Sequence, residues 1–355
     1  MKISIGTKIK EGPWGGGNLF AINLKNYLEK NNHKVVYNLN DDDIDLILLT
    51  EPRKTSESSM FTHIDILKYR QFVNNDVVVV HRINECDERK NTNFVNQYLL
   101  EANRAADATV FVSTWLKDLF VSQGLNCKKV EVIKSGANKK IFFSTNLKDD
   151  VPDNFKVVTH HWGANWNKGF EIYKKFDDML ENDEFRKKFS FTYIGNVPPK
   201  FKFKNTKLVK PLSGEDLANE IRKNDIYLTA SLNEPSGNHH IEGAQCGLPI
   251  LYINSGGIPE YCDGYGVMFE KNNFKEKLNE LANNYLNYYE RMKSYELNSD
   301  KMSADYLNLF NHLIENDDLL KTNRKSQNIL NIFEKIIFLS SRRVKRRIKN
   351  LRFYS

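Results

Sequence analysis

The stretch Asp225-Ile-Tyr-Leu-Thr-Ala-Ser-Leu-Asn-Glu234-Pro-Ser-Gly-Asn-His-His-Ile-Glu242-Gly-Ala-Gln-Cys-Gly-Leu-Pro-Ile250-Leu-Tyr-Ile-Asn-Ser-Gly-Gly-Ile-Pro-Glu260 decides the fold. It reads as an apolar strand, a polar turn, a short helix, a second strand and a glycine turn. Strands that feed helices in this way mark a parallel sheet with crossover connections. In such sheets ligands collect at the carboxyl ends of the strands, and a helix N-terminus attracts anions through its free N–H groups. The turn Ser236-Gly237-Asn238 lets backbone amides approach a phosphate closely. Glu234 at the strand end and Glu242 in the helix can each accept hydrogen bonds from hydroxyls. Phosphate beside hydroxyls is the chemistry of a sugar nucleotide.

The same alternation runs through the rest of the chain. Strands are expected at 2–6, 34–38, 44–50, 77–81, 108–113 and 129–134, with a helix over 18–31. The polar segment 144–154, containing Asp149, Asp150, Pro152 and Asp153, reads as a linker. A second alternation follows, with strands at 156–160 and 189–194 and helices at 170–181 and 213–223; Ser213 is the expected N-cap of the last. The fold class is therefore α/β, with two Rossmann-like parallel-sheet domains at 1–145 and 155–302. A helix over 303–320 is expected to pack back on the body, and 321–355 to form a basic amphipathic tail.

Composition narrows the class. With 40% hydrophobic residues in 355, the chain can bury two cores, which excludes global disorder. No stretch has the roughly 18 apolar residues of a membrane span, and the start reads as a strand rather than a signal peptide. The four cysteines (Cys86, Cys127, Cys246, Cys262) form no Cys-x-x-Cys pair, which argues against structural zinc and suits a cytoplasmic setting. The net charge of +7 is uneven: residues 321–355 hold eleven basic residues against Glu334 alone, a surplus of ten, so residues 1–320 carry −3.

Glu234-Pro-Ser-Gly, seven residues between the glutamates, Glu242-Gly-Ala-Gln-Cys-Gly-Leu-Pro-Ile and the later Gly256-Gly-Ile-Pro-Glu260 resemble the signature of retaining glycosyltransferases of family 4. The resemblance spans roughly residues 1–315 and implies the GT-B fold, two Rossmann-like domains facing a cleft. It implies that Glu234 contacts the donor sugar, that amides around Ser236, Gly237, Asn238 and His239 hold the diphosphate, and that Glu242 grips the ribose. Gly16 and Gly17, in the first glycine loop, would line the donor from the other domain. Lys168 matches a lysine of the family that neutralises the diphosphate. The arginine usual five residues earlier is replaced by Gly163, leaving His160, His161 or Arg82 as candidate substitutes.

His81, at the end of a Val-rich strand, matches a family histidine near the donor sugar, so the catalytic candidates are Glu234, Lys168 and His81. The charged run 84–90 faces the same end of the sheet and is a candidate acceptor selector. The segment 132–138 reads as structural, near the hinge. Adjacent His239 and His240 point to different helix faces, and no metal or other cofactor is expected. The resemblance implies retaining sugar transfer from a nucleotide-sugar donor to a glycan or lipid-linked hydroxyl. A nucleotide-sugar epimerase or hydrolase, and a non-catalytic nucleotide-sugar-binding protein, are the alternatives. In the tail, apolar residues at helical spacing among arginines favour an anionic membrane surface as partner of 329–355 and a place on the inner face of a membrane. Packing on the body and nucleic acid are the less favoured partners.

Overall fold

The computed structural model describes residues 1–10, 15–127, 129–145 and 150–316. The first half contains β1 (Lys2–Ile5), α1 (Gly16–Lys30), β2 (Lys34–Val36), β3 (Leu46–Leu49), α2 (His63–Phe72), β4 (Val78–Ile83), α3 (Asp87–Lys90), α4 (Val95–Ala102), β5 (Ala108–Phe111), α5 (Thr114–Ser122) and β6 (Lys129–Val132). The second contains β7 (Phe155–His161), α6 (Phe170–Met179), α7 (Asp183–Lys188), β8 (Phe189–Gly195), β9 (Lys207–Val209), α8 (Gly214–Arg222), β10 (Ile226–Thr229), α9 (Asn238–Gln245), β11 (Ile250–Ile253), α10 (Ile258–Cys262), β12 (Gly266–Phe269), α11 (Phe274–Asn283) and α12 (Tyr285–Met292). Helix α13 (Ser299–Glu315) follows.

The strands form two six-stranded parallel sheets, ordered β2-β1-β3-β4-β5-β6 and β12-β11-β10-β7-β8-β9. Central strands such as Leu46–Leu49 and Ile250–Ile253 are apolar throughout because helices cover both faces, which leaves no polar alternation. The second sheet encloses a core rich in aromatic rings, with Tyr173, Tyr193, Phe170 and Phe189 buried. Helix α13 leaves the second half and packs on the first sheet beside α1, where Phe20 and Tyr306 meet edge to face at 5.2 Å. The helix expected over 303–320 begins four residues earlier, at Ser299, and is described as far as Glu315, while 317–320 lie outside the described residues. The tail 321–355, with its expected membrane-facing stretch 329–355, lies outside the described residues.

The two halves touch through a few polar fasteners. Segments 135–138 and 297–299 run side by side, with Ser299 N donating to the Ala137 carbonyl at 2.7 Å. Gly136 is required there, since a Cβ would lie 2.1 Å from the Asn298 carbonyl oxygen. The Gly-Gly-Ile-Pro-Glu segment supplies a second fastener. Glu260 accepts from Thr114 N (2.8 Å) and Trp115 N (2.7 Å), the free amides at the start of α5. Lys134 Nζ donates to the Glu260 carbonyl at 2.6 Å, and the Tyr261 hydroxyl donates to the Val112 carbonyl. Replacing Glu260 with Gln keeps the shape but removes the charge facing the helix N-terminus. It is expected to lower the unfolding free energy by about 1–2 kcal/mol, measured by urea denaturation, without changing the far-ultraviolet dichroism.

Candidate functional site

In the second sheet the chain reverses its direction of travel between β7 and β10, the position at which sheets of this kind offer a crevice beyond their strand ends. Lys168 reaches this crevice on a short 3-10 turn, Trp166–Lys168, that follows β7. Glu234 reaches it on the loop after β10, and Glu242 on α9. Gly237 takes φ 71° as it starts α9, and a Cβ there would meet Glu234 Cγ at 2.9 Å. The Gly256-Gly257 turn braces this loop from behind, with Gly257 N donating to the Glu234 carbonyl at 2.9 Å.

Glu234 is the electrostatic centre. The residue is 5% exposed, with Oε2 accepting from Lys168 Nζ at 2.6 Å and Oε1 lying 2.8 Å from Arg89 Nε. Burial alone would raise its carboxyl, but the Arg89 guanidinium and the Lys168 ammonium outweigh burial and hold it at about 2. Arg89 comes from α3, in the opposite half. Glu85 grips the same guanidinium through Arg89 Nη1 at 2.9 Å and also pairs with Lys90 at 2.9 Å. The backbone of α3 is held from across the crevice as well. Asn233 Nδ2 donates to the Glu88 carbonyl at 3.2 Å, and Asn167 Nδ2 to the Arg89 carbonyl at 3.4 Å.

Glu242 is set by a relay from the neighbouring strand. The Tyr227 hydroxyl lies 3.0 Å from His160 Nδ1, and His160 Nε2 lies 2.8 Å from Glu242 Oε2. A carboxylate can only accept, so Nε2 is the donor to Glu242. His161 and His239 pair with Tyr173 and Thr229, each at 2.7 Å, and burial drives both far below the ordinary histidine value. Burial brings His240 down to about 3, and both its ring nitrogens lack a partner among the described residues. These three side chains are therefore neutral at physiological pH. Among the described residues no group of three or more His, Cys, Asp or Glu is placed to hold a metal ion.

The structure brings Glu234, Lys168, Ser236, Gly237, Asn238, His239 and Glu242 together. Gly16 joins them from the first half: a Cβ on it would lie 3.0 Å from the Asn238 side chain, whereas Gly17 beside it borders open space. His81 is not brought there. Strand β4 continues past it to Ile83, so His81 is mid-strand, fully buried, with Nδ1 3.0 Å from Asn103 Oδ1. That oxygen also accepts from the Thr109 hydroxyl at 2.8 Å, and burial pushes His81 down to about 4. Its Nε2 is buried and has no partner among the described residues. Arg82 is also turned away, its guanidinium 4.0 Å over the Phe20 ring. Sequence reasoning missed Arg89 and the orienting role of His160. The charged run 84–90 was a signal, but only the crossing of the cleft shows which of its residues reaches Glu234.

Residues 202–299 match the family of glycosyl transferases group 1. No curated protein matches the chain by sequence. Among solved structures, sucrose-phosphate synthase from Thermosynechococcus elongatus is similar at 15% identity and TM-score 0.65, covering 89% of this chain and 99% of its own. A glycosyltransferase from Rickettsia africae is 16% identical, with TM-score 0.63 and coverages of 89% and 99%. Anabaena HepE, solved with UDP and glucose, is 14% identical, with TM-score 0.62 and coverages of 88% and 100%. The two facing parallel sheets are thus the GT-B arrangement.

Glu234, depressed to about 2 from an ordinary 4.5, stabilises the fold at every pH above about 4.5 and loses that share as pH falls from 4.5 toward 2. Glu234→Gln is expected to cost on the order of 3 kcal/mol at pH 7. In urea denaturation, the gap between wild type and this variant should shrink progressively between pH 4.5 and pH 2.

Proposed function

The chain carries a glycosyltransferase domain of group 1 over residues 202–299, and we propose that it moves a sugar from a nucleotide-sugar donor to an acceptor hydroxyl with retention of configuration. The observation that carries this is the buried Glu234–Lys168 pair beside the N-terminus of α9, at the β7/β10 crevice. An ammonium and free amides suit a diphosphate, and a carboxylate next to them suits the hydroxyls of the sugar it bears. The group 1 domain and the UDP and glucose bound by Anabaena HepE support this donor class.

In the proposed reaction the bond between the sugar C1 and the diphosphate oxygen breaks, and the acceptor oxygen bonds to C1 from the same face. The acceptor proton passes to the departing phosphate oxygen. Lys168 and the amides of Gly237, Asn238 and His239 stabilise the charge that grows on the leaving diphosphate. Glu234 accepts from the sugar hydroxyls and fixes C1 relative to the acceptor. Glu242, oriented by His160, accepts from the ribose hydroxyls. Gly16 and Gly17 close over the donor from the first half, so 1–145 is the acceptor side and 155–302 the donor side. Closure excludes water and favours transfer over hydrolysis.

The acceptor is proposed to be a glycan or lipid-linked hydroxyl. The basic segment 321–355 supports a site of action at an anionic surface. Among the described residues no helix is long and apolar enough to cross a membrane. The full chain should therefore co-sediment with vesicles containing anionic lipid, and a chain ending at Asn316 should not.

The roles separate kinetically. With the donor chosen by thermal-shift screening of UDP-, GDP-, ADP- and TDP-sugars, Lys168→Ala should lower kcat by about 100-fold. Glu242→Ala should instead raise the donor KM by about 10-fold with kcat little changed. Full transfer activity in both Lys168→Ala and Glu234→Ala would refute the assignment.

A further inference from the structure

We propose that Arg89, contributed by the half opposite the donor domain, is the second cation of the diphosphate subsite and exchanges Glu234 for phosphate when the donor binds. The inference builds on the donor reading above and assigns a residue to it. A nucleotide diphosphate brings at least two negative charges, and Lys168 is the sole cation that the β7–α6 loop places in the crevice.

The other candidate substitutes do not supply the missing charge. His161 is neutral and bonded to Tyr173, His160 is committed to Glu242 and Tyr227, and Arg82 stacks on Phe20. Arg89 is different. One carboxylate separates it from Lys168, since the two oxygens of Glu234 contact the two cations at 2.8 and 2.6 Å. Its position is fixed, because Asp87 in the same helix accepts from Val95 N at 2.9 Å and Asn96 N at 3.0 Å. Asn233 and Asn167 then tie the α3 backbone to the loops that carry Glu234 and Lys168.

The exchange has a chemical logic. Arg89, Lys90 and Lys168 face Glu85 and Glu234, three cations against two carboxylates, so the cluster has a surplus positive charge that an anion can take up. A guanidinium is always charged and presents a planar fork that matches phosphate oxygens in pairs. When phosphate takes the fork, Glu234 is released from its ion pair with one cation, and its Oε1 faces a sugar hydroxyl instead. Because Arg89 stands on the first half, the same step bonds the donor to both halves and couples binding to closure.

Calorimetric titration tests this with UDP, GDP, ADP and TDP, each against its parent nucleoside. The wild type should bind one diphosphate at least about tenfold tighter than its nucleoside. In Arg89→Gln the diphosphate should weaken by about 10- to 100-fold with nucleoside affinity unchanged, and Arg89→Lys should recover part of the loss. The deciding arm is rescue by Gly163→Arg in the Arg89→Gln background. A Cβ at position 163 would lie 3.8 Å from Lys168 Cε with no closer contact than 3.6 Å, so a new guanidinium has room beside the lysine. Rescue of diphosphate affinity supports the assignment. Unchanged diphosphate binding in Arg89→Gln, or equal loss of diphosphate and nucleoside, overturns it while leaving the donor reading intact. A wild type that prefers no diphosphate over its nucleoside overturns both.

Discussion

Glu234 is a buried carboxylate that would be untenable alone, and the architecture around it can be understood as the means of keeping it charged. Taking a carboxylate out of water costs several kcal/mol, recovered only when cations and hydrogen bonds approach at close range. Lys168 supplies one cation from the loop after β7, and Arg89 supplies the other from α3 in the opposite half. The adjacent histidines add no charge of their own, because burial holds His161, His239 and His240 in the neutral form. Among the described residues, the two cations that contact Glu234 are Lys168 and Arg89.

The same cluster helps to join the halves. Elsewhere they meet at Glu260 on α5, at Tyr261 on the Val112 carbonyl, and where segments 135–138 and 297–299 run together. These are localised polar contacts, the kind that lets domains move relative to one another. Helix α13, by contrast, is anchored on the first sheet through apolar packing that includes Tyr306 and Phe310. The chain therefore crosses between halves twice at one place, near Gly136 and Asn298, which is where a hinge belongs. Ligand exchange at Arg89 and rotation about that hinge would act on the same crevice.

Much of this was legible in the sequence because it depends on local chemistry. Apolar runs bounded by polar turns located the six strands of the first sheet, and Glu234, Gly237 and Glu242 follow one another on a single strand–turn–helix unit. The short edge strands β9 and β12 were not expected. His81 shows the opposite failure. A histidine in a valine-rich run resembles a strand end, but two further residues pair with β5 and carry the imidazole into the core against Asn103.

The sequence by itself determined the fold class, the two-sheet division and the local unit that bears both glutamates, because each depends on periodicity and turn chemistry within a few residues. Only the tertiary structure decided which cations serve Glu234 and what orients Glu242. Arg89 lies 145 residues from Glu234, and His160 lies 82 from Glu242. No local pattern ties together groups so distant in the chain. They meet because parallel strands bring their carboxyl ends to one edge and two such edges face each other across the cleft.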